Sequence, residues 1–140
     1  MSSSRRARVA RRPVVRAGVA ATELAVCMPV IVLIVLASME ACAMIFLQQS
    51  LSVAAYEGAR VGLSPGAEAG DVTSQCQQIL DDREVKGASI VVTPSNIPSA
   101  AEGTWISVET KAPFAKNSLV GGWLFSGRTL TAVVQMMKER

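Results

Sequence analysis

The chain has 140 residues, half of them hydrophobic and 18% charged, with a mean hydropathy of +0.35, which leaves room for one domain and hardly two. It contains no histidine and three cysteines, which removes the commonest general base, every Ser-His-Asp or Cys-His arrangement, every imidazole zinc site and a disulfide framework. The formal charge of +3 and the pI near 9.0 belong to one end, because residues 1–18 carry six arginines and no acid while residues 19–140 carry eight Lys/Arg against eleven Asp/Glu.

That Ser/Arg-rich start, with Pro13 and no apolar period, reads as a disordered tail, and a nucleic-acid arm is one use of it. Leu24–Leu47 comes next, 24 residues in which Glu40 is the only charge. At about 1.5 Å per residue this is roughly 36 Å of helix, enough to cross a ~30 Å hydrocarbon core with some tilt. Arginines directly before such a run are the positive-inside signal. They put the N-terminus in the cytoplasm and the C-terminus outside, a simpler use of the tail than binding nucleic acid. A cleaved secretory signal competes, with Leu24–Ala37 as its apolar region, but such a signal has no need of the amphipathic stretch beyond Glu40.

Two carboxylates and a proline interrupt the run. Glu23 lies at its cytoplasmic start, beside the positive end of the helix dipole, where it either caps the first turn or meets a partner. Glu40 lies deeper, and a charge at the helix centre costs about 2.5–3.5 kcal/mol. Snorkelling, protonation or a donor from another helix relieves that cost. A protein–protein contact is favoured over a proton path, since one acid makes no relay. Pro29 removes one backbone bond, which membrane helices tolerate. Cys27 and Cys42 read as small apolar residues.

Residues 44–60 continue amphipathically, with Ile45, Leu51, Ala54 and Ala55 beside Gln48, Gln49, Ser50 and Ser52. A helix from Val19 to about Arg60 is roughly 60 Å long. No small core needs that length, so its exposed half calls for other helices. Ala20, Ala21, Ala25, Ala37, Ser38, Ala41 and Ala43 permit close approach in lipid. Glu57-Gly58-Ala59-Arg60 and Gly62 end the helix, and Ser64-Pro65-Gly66 is a turn. Glu57 and Arg60 are spaced to pair, either as a solvated pair or as a joint holding the helix against the outer domain.

Residues 63–140 read as that small α+β outer domain. A helix starts at Gly70-Asp71 with Asp71 or Thr73 as N-cap, carries Val72, Cys76, Ile79 and Leu80 on one stripe, and ends near Gly87. Ser89–Thr93, Thr104–Lys111 and Thr129–Met137 are strands of a small antiparallel sheet. Between the last two, Phe114, Leu119, Val120, Trp123, Leu124 and Phe125 are many apolar residues for a loop. They fold over the sheet edge, or they form a patch for a partner or the membrane. Gly121-Gly122 lacks the strand–helix context of a phosphate loop. Asp81, Asp82 and Glu84 do not converge on a cation, and Cys76 reads as buried on its stripe. No catalytic set, metal site or cofactor motif emerges, so the chain is expected not to be an enzyme.

Arg16-Ala17-Gly18-Val19-Ala20-Ala21-Thr22-Glu23-Leu24 resembles a class III signal, which a prepilin peptidase cuts after the glycine. Here the cut falls between Gly18 and Val19, and Glu23 becomes the fifth mature residue. With Pro29, Met39-Glu40, Gln48–Ala55 and the Tyr56-Glu57-Gly58-Ala59-Arg60 box, Gly18–Arg60 as a whole resembles the TadE-like family of minor pilins (pseudopilins) of tight-adherence (type IVc) pilus and secretion systems. The resemblance implies a pilin-like organisation. Residues 1–18 are then a cleaved cytoplasmic leader, 19–62 a long helix with its transmembrane span at about 24–47, and 63–140 an extracytoplasmic α+β domain.

It further implies a structural subunit that helps assemble, prime or anchor a pilus from the bacterial inner membrane. Gly18, Val19 and Glu23 serve processing; Glu23, Pro29, Glu40, Glu57, Gly58 and Arg60 serve helix packing and assembly. The partners it implies are other pilin-like subunits, the prepilin peptidase and an inner-membrane assembly platform. An uncleaved signal-anchored envelope protein, whose outer domain binds a periplasmic ligand or partner, is the alternative. Loss of the leader leaves mature side chains summing to −3, which predicts no acidic partner for the mature subunit, nucleic acid included.

Overall fold

A computed structural model describes residues 15–121, 125 and 127–138, with side chains from Gly18 onward. The arginine tail up to residue 14, Trp123 and Leu124 lie outside the described residues. The elements are α1 (Val15–Gly62), α2 (Ala69–Asp82), β1 (Ser89–Thr93), β2 (Trp105–Pro113), a 3-10 turn (Phe114–Lys116) and β3 (Thr129–Met137). The chain divides into two compact units, one ending at Val35 and one beginning at Leu36.

In the first unit every described side chain from Gly18 to Val35 is exposed. Its Val and Ile residues are indifferent helix formers in water, yet the helix is continuous and includes Pro29. A segment that satisfies its own backbone hydrogen bonds is the form an apolar chain takes in lipid. The Thr22 hydroxyl donates to the Val19 carbonyl at 2.8 Å.

The second unit is built on the remainder of α1. Glu40, Ala43, Leu47, Ser50, Leu51, Ala54, Ala55, Gly58, Ala59 and Gly62 are buried, a spacing of three and four that puts them on one face. Side chains on this face shrink along the chain, from Leu47 and Leu51 to Ala54, Gly58 and Gly62. That lets α2 and the sheet approach the helix backbone. β1, β2 and β3 form an antiparallel meander in the order β1-β2-β3, with Val92 opposite Val108 and Val108 opposite Val134. Strand alternation turns Ile106, Val108, Thr110 and Ala112 of β2 inward, all buried. They pack with Leu47, Leu51, Val72, Leu80, Ile97 and Phe114 in one core.

Three element ends differ from expectation. The N-cap of α2 is Glu68 rather than Asp71 or Thr73, because Asp71 occupies the third helical position. There its Oδ2 accepts the Glu68 N–H at 2.9 Å, one half of a capping box. α2 stops at Asp82, short of Gly87. Glu84 adopts φ +55, its N–H bonds the Asp81 carbonyl (2.9 Å), and the Val85 N–H bonds the Leu80 carbonyl (2.8 Å). This is a Schellman closure, and Val85 is buried in the same core as Leu80. β2 runs from Trp105 to Pro113, beyond Lys111, because β3 continues to pair with it as far as Pro113 opposite Thr129.

Candidate functional site

Among the described residues of the second unit, hydrogen bonds tie α1 to its surroundings at four points. The Thr110 hydroxyl of β2 donates to the Leu51 carbonyl (3.0 Å). The Cys76 thiol of α2 donates to the Ala54 carbonyl (3.2 Å). Gln48 Nε2 donates to the Thr131 carbonyl of β3 (3.1 Å). Glu40 is the fourth. It is fully buried, and its Oε1 accepts the Ser118 hydroxyl (2.5 Å) and the Val120 N–H (2.9 Å). Oε1 of the carboxylate is thus held by the loop after the 3-10 turn of its own chain. Burying a carboxylate is costly unless it is hydrogen-bonded, so this contact fixes the position of residues 118–120.

The Glu57–Gly58–Ala59–Arg60 box separates into two roles. Arg60 Nη1 lies 3.7 Å from Glu57 Oε2, with Arg60 exposed and Glu57 partly so, so the pair is solvated and worth a few tenths of a kcal/mol at most. Gly58 makes the joint. A Cβ there would overlap Cys76 Sγ and lie 3.4 Å from Val72 Cγ1. Gly62 repeats the pattern one turn on, where a Cβ would lie 3.2 Å from Val72 Cγ2 and 3.4 Å from Ile106 Cγ2.

Gly18, Val19, Glu23 and Pro29 are all exposed on the first-unit helix, and a Cβ at Gly18 would meet nothing within 4 Å. In the second unit, α1 carries a further row beside its buried face: Met39, Cys42, Phe46, Gln49, Val53 and Tyr56. All are exposed, at alternating spacings of three and four that make a coiled-coil-like seam. The Pro113–Gly127 loop is divided. Phe114 is fully buried and packs edge-on against Phe125 with ring centroids 6.2 Å apart, whereas Leu119 is 67% exposed.

Ser118, Val120, Thr110 and Cys76 are the partners that sequence reasoning missed. The contacts of Ser118 and Val120 with Glu40 join residues 78 and 80 positions apart, with no local signal. The Gly58–Cys76 approach has one, a glycine inside a helical pattern opposite an apolar stripe.

Among the described residues, no group of three His, Cys, Asp or Glu side chains is placed to hold a metal ion. One described helix is long and apolar enough to cross a membrane, near the N-terminus, which is compatible with a single-pass membrane anchor. No curated protein and no solved structure matches the chain significantly. Residues 18–60 match the model of the TadE-like protein family; that segment lies wholly on α1 and carries both the exposed apolar run and the Gly58 joint, so over its long helix the chain is similar to that family, in keeping with an α+β pilin-like fold.

Proposed function

We propose that the chain is a minor pilin-like structural subunit, not an enzyme, that helps assemble, prime or anchor a tight-adherence (type IVc) pilus. The observation that carries this reading is the coincidence of the TadE-like segment with α1. The core covers one face of that helix from Glu40 onward and leaves an apolar seam from Met39 to Tyr56 uncovered. Other pilin-like helices fit such a seam.

In this reading the chain starts as a single-pass inner-membrane protein with its N-terminus in the cytoplasm. A prepilin peptidase cuts between Gly18 and Val19. The exposure of both residues supports access to that bond. Glu23, exposed four residues after Val19, then offsets the new amine of Val19 on a neighbouring subunit.

Mass spectrometry of the mature N-terminus tests the reading: it predicts a chain beginning at Val19. An intact N-terminus in cells with an active prepilin peptidase favours the uncleaved signal-anchored alternative. Glu23→Ala is expected to leave cleavage intact and block incorporation into the pilus.

A further inference from the structure

A cleft in the second unit lies where two turns meet α1 at Cys42–Leu47. Its volume is about 390 Å³, and Phe46, Arg83, Lys86, Lys116 and Leu119 define its character. One turn closes α2 at Arg83–Lys86, and the other runs on from the 3-10 turn at Lys116–Leu119. Asn117 clamps them together. Its Oδ1 accepts the Lys86 N–H (2.8 Å), and its Nδ2 donates to the carbonyls of Lys86 (3.0 Å) and Pro113 (2.9 Å). The Lys116 side chain lies over Gly87, where a Cβ would stand 2.9 Å from Lys116 Cδ and 3.1 Å from its Nζ. Two lysines from distant parts of the sequence therefore share one rim.

The charge of this rim is not neutralised. The ion pairs among the described residues are Arg60–Glu57 and Lys111–Glu109; Arg83, Lys86 and Lys116 take part in neither. Among the described residues Glu84 is the only acid that lines the cleft, which leaves a net positive site on a unit whose acids outnumber its bases. The apolar part is equally uncovered, with Phe46 52% and Leu119 67% exposed. A soluble anion needs no apolar wall, and an apolar peptide needs no cations. A molecule with an anionic head and a hydrocarbon chain uses both.

Position along α1 points the same way. Among the described residues Glu40, next to Met39, is the first buried side chain of α1, where the core of the second unit begins. Cys42 and Phe46 come three and seven residues after Met39, about 4.5 and 10.5 Å of helix, while the headgroup layer of a bilayer is about 5–7 Å thick on each side.

We propose that the cleft between Phe46, Arg83, Lys86, Lys116 and Leu119 docks the headgroup of an anionic phospholipid from the bilayer that α1 enters. The proposal rests on the reading of α1 as a membrane anchor. Docking here holds the second unit in one orientation on the membrane surface, because Glu40 and Asn117 fix both turns to the helix and to each other.

The test uses the full chain reconstituted into nanodiscs of equimolar phosphatidylcholine and phosphatidylglycerol, with mass spectrometry of the lipids retained on gentle extraction. Phosphatidylglycerol is expected to be enriched. Lys86→Ala/Lys116→Ala is expected to lower the enrichment about tenfold or more, at roughly fivefold per cation near an anionic surface. Glu84→Gln is expected to raise it. Lys111→Ala/Arg128→Ala, which removes the same charge elsewhere, is expected to leave it unchanged.

Equal retention of both lipids by an inserted wild-type chain overturns the site, as does equal loss in the two double variants. Protection of Lys86 and Lys116 from amine modification by inorganic phosphate alone assigns the cleft to a soluble anion. Cross-linking of these lysines to a second protein, without lipid enrichment, assigns it to a protein. Either result overturns the proposal. Resistance to alkaline carbonate extraction is scored separately: release from the membrane overturns the anchor reading itself, whereas retention without enrichment overturns only the lipid site.

Discussion

Gly58 of α1 stands so close to Cys76 of α2 that a single methyl group at 58 would overlap the Cys76 sulfur. The sulfur is not idle in that position, since it donates to the Ala54 carbonyl one turn earlier on α1. Helix–helix contact here depends on a missing side chain on one partner and a small polarisable one on the other.

Gly58→Ala is therefore expected to destabilise the second unit, although alanine is intrinsically better in a helix by about 1 kcal/mol. Overpacking a filled core costs about 1–3 kcal/mol, and neither Cys76 nor Val72 has room to withdraw, both being fully buried. In the double variant Gly58→Ala/Cys76→Ala the sulfur is gone and the new methyl takes up part of its space. Chemical denaturation of the four members of this cycle is expected to give a favourable coupling of about 1 kcal/mol or more. Strict additivity would show that the overlap is relieved elsewhere.

Glu40 and Ser118 make the second prediction. Glu40→Ala leaves the Ser118 hydroxyl without its acceptor and the Val120 N–H with only its longer bond to Ser118 Oγ (3.3 Å), and an unsatisfied buried donor costs about 1–3 kcal/mol. The loss should be local before it is global, because these donors belong to one loop. Hydrogen exchange at the Val120 amide is expected to accelerate strongly in Glu40→Ala and less in Glu40→Gln, which keeps an oxygen acceptor. An unchanged Val120 rate in Glu40→Ala would mean that the loop is held by other contacts.

Much of this fold is legible in the sequence, and the reasons are particular. Ser89–Thr93 and Thr129–Met137 match the observed strands, because alternation over five to nine residues between turn signals has few other readings. Periodicity also places Val72, Cys76 and Leu80 together, and all three are buried. Hydropathy does not tell which apolar residues face lipid and which face protein. Ala43 and Leu47 continue the apolar run without a break, yet both are buried in the core of the second unit. Glu40 reads as an acid in need of a contact, and the two donors to its Oε1 come from a loop 78 and 80 residues away, a distance over which no periodicity operates. The Asn117 clamp on Lys86 is invisible for the same reason.

Cys76 should report on alkaline pH. Burial pushes its thiol from 9.0 up to about 11, with a backbone hydrogen bond offsetting part of the rise. The folded chain thus holds the proton that the unfolded chain releases near pH 9. The associated stability is complete below that pH and is lost as pH rises from about 9 to 11, amounting to about 2–3 kcal/mol. Denaturation of wild type and Cys76→Ala at pH 8 and pH 11 isolates this contribution from lysine and tyrosine titration. The wild type is expected to lose about 2 kcal/mol more than the variant. The same burial predicts that iodoacetamide at pH 8 labels Cys76 only after unfolding, since the thiolate is the reactive form.

Glu84 gives the last prediction, one in which a substitution should improve the protein. It occupies the left-handed position of the Schellman closure after α2, at φ +55, where a side chain costs roughly 1–2 kcal/mol relative to the right-handed region and glycine is the usual resident. The closure itself is sound: both hydrogen bonds are made and Val85 is buried against the core. Glu84→Gly keeps those bonds and removes the strain, while adding some freedom to the unfolded chain. The net gain is expected to be about 0.5–1 kcal/mol, read as a higher denaturation midpoint at unchanged slope. Glu84→Val, β-branched in the same conformation, is expected to fall below wild type by a similar amount. If the two variants are equally stable, the backbone at residue 84 is not held in the left-handed conformation, and the closure of α2 must take another form.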